Sequence, residues 1–207
     1  TAKAEARQVA GTAVDSGKEV AAAAKEGAAN VAAEAKQQAA SLFDTVRAEA
    51  EAVAATGLRA PESGLLLLTG LDRHTLGSHG WRRRVVAAPQ FHENHVLSNT
   101  FAFNLLMGRG WPPRWRDLEE AQEICRELGL GPLLDRMPGG LMQMVGETGW
   151  QLSHGERSRL FMARALLQGS DLVILDESFG ALDPDTLRRC MDVALSRAGT
   201  LIVIAHP

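Results

Sequence analysis

The sequence predicts an α/β fold built on a parallel sheet and preceded by one long N-terminal α-helix, and three observations carry that prediction. Short apolar runs, Leu172–Leu175 and Leu201–Ala205, are too brief for helices and alternate with longer stretches of helical periodicity. Two adjacent acids, Asp176 and Glu177, stand at the end of the first run, where open α/β sheets place their ligands. The first 55 residues instead repeat with a period of eleven, which is very nearly three helical turns.

The repeat returns five times from Thr1. Its ninth position reads Val9, Val20, Val31, Leu42 and Val53, and its second reads Ala2, Ala13, Ala24, Ala35 and Val46. One extended helix is expected, with high propensity because Ala supplies 21 of these 55 residues. Gly11, Gly17 and Gly27 each cost ~1 kcal/mol relative to Ala, and the apolar stripe is thin, so the helix is marginal by itself. Apart from Leu42 the stripe has none of the aromatic and Leu anchors of interfacial helices, which favours a solvated helix over one lying on a membrane or partner.

Composition divides the chain at the same place. All four lysines, at positions 3, 18, 25 and 36, fall inside the repeat, and every later basic residue is Arg. The net charge of -3 provides no global basic field, so nucleic acid is not an implied partner. Cys125 and Cys190 form no disulfide framework. No signal-peptide pattern opens the sequence, and no apolar run approaches the ~20 residues that span a bilayer. Any membrane-spanning part of a complex containing this domain is expected elsewhere.

From Thr56 the breaker cluster around Pro61 and Gly64 reads as a turn, Leu65–Leu68 as a short strand and Gly70–Gly80 as a polar connection. Trp81–Gln90 is a basic run followed by a strand, Val85–Ala88. Arg82–Arg84 reads as a solvated face in preference to an anion site. His92-Glu93-Asn94-His95 lacks the further ligands that a metal site needs. Phe101, Phe103, Leu105 and Leu106 form an apolar helix, and Trp111–Trp115 is a rigid turn. Leu118–Leu128 is an amphipathic helix, a Gly-containing loop over Leu152–Glu156 leads into another, and Thr186–Arg197 is a third.

Together these pieces resemble the nucleotide-binding domain of exporter-type ATP-binding cassette transporters. Leu152-Ser153-His154-Gly155-Glu156 is similar to the family signature Leu-Ser-Gly-Gly-Gln, Leu172–Glu177 to the Walker B strand, and Ala181-Leu182-Asp183 to the D-loop. Val145–Gly149 resembles the loop that precedes the signature. The resemblance implies an incomplete P-loop NTPase-like sheet over residues 57–207, with a helical subdomain at about 111–150, after a repeat helix at 1–56 that itself resembles late-embryogenesis-abundant-type repeats.

It further implies ATP and magnesium (Mg2+) as cofactors. Glu177 would be the catalytic base, Asp176 the magnesium carboxylate, Gln90 the Q-loop residue near metal and water, and His206 the switch histidine. Ser153, Gly155, Glu156 and Asp183 would face nucleotide held by a second nucleotide-binding domain in a head-to-tail dimer. A transmembrane transporter domain would be the other partner, placing the chain in the cytoplasm against the inner face of a membrane. His154 and Glu156 depart from the usual Gly and Gln.

What the family's phosphate loop requires is missing from the sequence. Gly-x-x-x-x-Gly-Lys-Ser/Thr has no match, and no Lys follows Lys36. The nearest imitation, Ser16-Gly17-Lys18-Glu19, has Thr12 in place of the first Gly and Glu19 in place of the metal-binding hydroxyl. The expectation is a transporter-type ATPase domain inactive alone. The alternatives are a non-enzymatic helical or dimerisation protein carrying a degenerate cassette, and a truncated or fused gene product.

Overall fold

Four short apolar residues in a row with β-branched side chains cannot bury themselves as an isolated helical turn, and in this protein they join a sheet. A computed structural model describes residues 54–57, 61, 64–88 and 96–205. The repeat helix, Gln90 and His206 lie outside the described residues, which belong to one unit, Ala48–Pro207.

The order of elements is α1 (Arg73–Arg84), β1 (Val85–Ala88), β2 (Asn99–Thr100), α2 (Phe101–Leu106), α3 (Trp115–Glu127), α4 (Gly131–Arg136), a 3-10 turn (Gly140–Met142), β3 (Met144–Val145), α5 (His154–Leu167), β4 (Leu172–Asp176), α6 (Pro184–Arg197) and β5 (Thr200–Ile204). The main sheet is β1-β4-β5, parallel throughout, with Val85 opposite Leu172 and Leu172 opposite Thr200. The expected strands therefore lie side by side, joined by helical crossovers.

Two expectations are corrected. Leu65–Leu67 form no strand, and Leu68 makes only an isolated bridge to Leu71. The segment Gly70–Gly80 is not a plain connection, because a helix begins at Arg73. Asp72 caps it by accepting the Thr75 N–H at 2.7 Å, and this bond holds the Asp72 carboxyl below its usual range. The sequence obscured this helix because Gly77 interrupts it at φ +67° and the stretch is largely polar. Trp81 on its last turns is buried, and its indole N–H donates to the Ala55 carbonyl at 2.7 Å.

The core centres on α5. Residues Leu160–Leu167, Arg164 among them, are all buried, so this stretch of the helix is enclosed on every side and packs against α2, α3, α6, β1 and β4. Full burial of each large side chain contributes ~1.5–3 kcal/mol of transfer free energy. Cys125 and Cys190 are both free, and burial pushes their thiols up to about 12 and about 11. β2 and β3 pair antiparallel, Asn99 opposite Val145. That pairing brings Gly146, at φ +97°, so close to Ser98 that an added Cβ would sit 2.8 Å from its backbone N.

β4 is covered, with Val173, Ile174 and Leu175 buried, but β5 is not. Ile202 and Val203 are 42% and 36% exposed, and among the described residues β5 pairs only with β4. An apolar strand with an open row of N–H and C=O groups templates association. At micromolar concentration the chain is expected to self-associate, and Ile202→Lys to shift its sedimentation profile toward monomer. A wild-type chain that sediments as monomer would contradict this.

Candidate active site

A parallel sheet brings the carboxyl ends of its strands together, and the two acids stand there. Asp176 is the last residue of β4, opposite Ile204 of β5, and both acids are half-buried. Glu177 leaves the strand at φ +44°, a left-handed conformation that costs a non-Gly residue ~1–2 kcal/mol. Its N–H donates to the Ile204 carbonyl at 3.0 Å, which extends the β4–β5 ladder one step and holds that turn. Strained residues of this kind cluster at functional sites.

Ser178 was not singled out by the sequence, yet it ties the site together. Its hydroxyl is buried and donates toward the Ala88 carbonyl at 3.0 Å, with the Asp176 carbonyl at 3.3 Å. Ala88 and Ala205 are the described residues nearest in sequence to Gln90 and His206, and both stand at this end of the sheet.

The expected loop over Leu152–Glu156 ends sooner than the sequence suggested, because α5 begins at His154 with Ser153 as its N-cap. Ser153 Oγ accepts the Glu156 N–H at 3.2 Å, and Glu156 Oε2 accepts the Ser153 N–H at 2.8 Å. This reciprocal capping box was legible as the pattern Ser-x-x-Glu. The other carboxylate oxygen of Glu156 accepts Arg136 Nη2 at 2.5 Å, a partner that no sequence spacing announces. The charge at position 156 is thus compensated by the helix start and by Arg136.

Gly155 is half-buried against the segment after β4. A Cβ there would meet the Ala181 carbonyl at 3.2 Å and Leu182 Cδ2 at 3.5 Å. Asp183 caps α6 by accepting the Thr186 N–H at 3.0 Å, and Thr186 holds its carboxyl below the usual range. The structure therefore brings Ser153, Gly155 and Glu156 beside Ala181–Asp183, while Asp176 and Glu177 form a separate group at the sheet end.

The donor chemistry suits one cofactor component better than the other. Magnesium is usually held by one or two carboxylates plus phosphate oxygens and water, so the single Asp176 carboxylate fits it. Among the described residues no cluster of three His, Cys, Asp or Glu side chains forms a metal cage. A triphosphate needs a run of N–H groups and a lysine, and the residues after Lys36 contain no lysine. The described residues do not fit that cradle.

A family model described as ABC transporter matches residues 52–180. The chain is 32% identical over 148 residues to the ABC multidrug transporter mdr4 of Aspergillus fumigatus, covering 70% of this chain and 11% of that protein. It is 34% identical over 152 residues to the mycobactin import ATP-binding/permease protein IrtB of Mycolicibacterium thermoresistibile, covering 72% and 25%. Among solved structures, a bacterial Atm1-family ABC exporter with ATP bound superposes with a TM-score of 0.66 at 25% identity, over 77% of this chain and 27% of that one. The chain thus spans a quarter or less of the length of these curated relatives. The matched segment includes both the capped start of α5 and the Asp176–Glu177 strand end, and this chain belongs to the ABC transporter family.

Proposed function

We propose that this chain supplies the signature surface of an ATP-binding site whose phosphate loop comes from a partner domain, coupling ATP binding and hydrolysis to transport, while its own Walker B strand end belongs to a second, separate site. The observation that carries this reading is the packing of Gly155 on the Ala181 carbonyl, because it joins the start of α5 and the turn before Asp183 into one surface. In a head-to-tail dimer such a surface can face phosphate held opposite, with the N-terminal N–H groups of α5 and the Ser153 hydroxyl as donors.

Within the chain's own site, Asp176 is the carboxylate for magnesium and Glu177 the base that orients water, with Gln90 and His206 as sensors by family analogy. Magnesium, when bound, would neutralise charge on the transferred phosphoryl group. Among the described residues no helix is long and apolar enough to cross a membrane. By family analogy, attachment to the inner face of a membrane, in the cytoplasm, runs through a transmembrane transporter domain.

Nucleotide-dependent association tests this reading. Mixed with an exporter nucleotide-binding domain that carries its own phosphate loop and a neutralised catalytic base, the chain should form a heterodimer on size exclusion only with ATP and magnesium. Ser153→Arg should abolish the shift. A complex that forms equally without nucleotide would instead support a non-enzymatic dimerisation module, the reading that the missing lysine favours.

A further inference from the structure

At the opposite end of the sheet a cleft of about 860 Å3 opens between the last turn of α1, the connection after α2 and the residues just before β4. It lies at the amino ends of β1 and β4, away from Asp176 and Glu177. A volume of this size accommodates a small organic ligand. Its basic lining is Arg82, Arg83, Arg109 and Arg114, with His79 beside them, against one acid, Asp117.

Part of that charge has a structural duty. Arg109 donates from Nε to the Leu167 carbonyl at 2.6 Å, closing the end of α5, and pairs with Glu120 at 2.7 Å and Asp117 at 3.2 Å. Arg114, which is itself largely exposed, lies 3.7 Å from the same Asp117, so the single acid of the wall is compensated. Arg82 and Arg83 differ. Both are exposed, and among the described residues neither has a carboxylate partner, whereas the adjacent Arg84 pairs with Asp171 at 3.7 Å.

Basic residues in the last turn of a helix favour its dipole, which accounts for their charge but not for the placement of two guanidiniums along one cleft. The backbone that carries them is pinned, since the Ser170 hydroxyl donates to the Arg83 carbonyl at 3.3 Å. Trp111 adds an apolar wall. The residue is 53% exposed, and its ring packs edge-on against Phe103 with centroids 5.1 Å apart.

We propose that this cleft binds a small phosphorylated organic ligand, Arg82 and Arg83 holding the phosphate and Trp111 lying against the apolar part. Planar guanidinium forks match phosphate oxygens in a way that a point charge does not, and the concave shape suits a small molecule better than an extended acidic surface.

The test is calorimetry on the whole chain in EDTA, so that magnesium-dependent binding near Asp176 is silent, with 1-naphthyl phosphate and inorganic phosphate as probes. Naphthyl phosphate should bind more tightly than phosphate, and Arg82→Ser/Arg83→Ser should weaken it about tenfold or more. Trp111→Ala should erase the preference for the aromatic probe, while Glu177→Gln should bind like wild type. Both arginines are exposed, so unchanged far-UV circular dichroism is expected of the double variant. Weakening of wild-type binding with added salt gives a reading that needs no variant. Equal binding by wild type and the double variant overturns the proposal, as does no binding at millimolar probe. Tighter binding of an octaglutamate peptide than of naphthyl phosphate also overturns it and reassigns the cleft to an acidic protein segment.

Discussion

Purified by itself, the chain is expected to release no phosphate from ATP and magnesium beyond the level of its Glu177→Gln variant. Asp176, Glu177 and Ser153 are present in the positions described, but the ground state of a bound triphosphate rests on backbone N–H groups and one lysine. Charge-assisted hydrogen bonds contribute ~1.5–3 kcal/mol each, and losing three together removes ~5–9 kcal/mol. Affinity then falls by about three to six orders of magnitude, so that ATP no longer occupies the site at millimolar concentration. The donors at the start of α5 do not compensate, because they would act on nucleotide already held by another domain. The measurement is magnesium-dependent phosphate release by both proteins side by side. Turnover that Glu177→Gln abolishes would mean that another segment, such as that around Lys18, performs the phosphate loop's task.

The second large effect is expected in the core, at Asn104. This side chain is fully buried, accepts the Leu97 N–H at 2.9 Å and donates to the Leu97 and Thr100 carbonyls at 2.9 and 3.1 Å. Arg164 reaches it from α5, with Nε donating to its backbone carbonyl at 2.6 Å and the guanidinium 5.2 Å over the Phe161 ring. Desolvation lowers the Arg164 pKa to about 10, which still leaves it charged at neutral pH.

Asn104→Leu keeps the branching and number of heavy atoms but strands the Leu97 and Thr100 groups and part of the buried charge's hydrogen bonding. A loss of ~3–5 kcal/mol follows, or roughly 10 °C or more in Tm for a unit of this size. Arg164→Met removes the charge together with its desolvation cost, and should lose only ~1–3 kcal/mol. Urea midpoints for the two variants give the comparison. A smaller loss for Asn104→Leu than for Arg164→Met would show that the network around Leu97 is not what holds α2 to α5.

The sheet was legible in the sequence because β4 and β5 are short apolar runs at the ends of helical stretches, a pattern with few other solutions. The helix at Arg73–Arg84 was not, because a kink at Gly77 and a polar surface erase its periodicity. Of the candidate site, the placement of Asp176 and Glu177 at a strand's carboxyl end was legible from the apolar run before them. Ser178 and Arg136 were not, since what they do depends on Ala88 and Glu156, which lie 90 and 20 positions away in the chain. The role of Glu156 was half legible. As a departure from the signature it introduced a charge, and only the capping box and Arg136 show that the charge is accommodated.

The register of the main sheet also sets an order of events for a refolding chain. Joining β1 to β4 closes a loop as long as the one between Arg83 and Ser170, 87 positions. β4, α6 and β5 close a loop roughly a third as long, at an entropic saving of about 1 kcal/mol. The helical crossover is local and the β1 pairing is not, so Val173–Leu175 should acquire amide protection against β5 before β1 arrives. Until then the Leu175 end of β4 has one neighbour in place of two, and the turn at Glu177 already has its Ile204 hydrogen bond while Ser178 still lacks Ala88. Pulsed hydrogen exchange resolves the two stages, and protection of Val85–Ala88 that precedes that of Thr200–Ile204 would reverse the order.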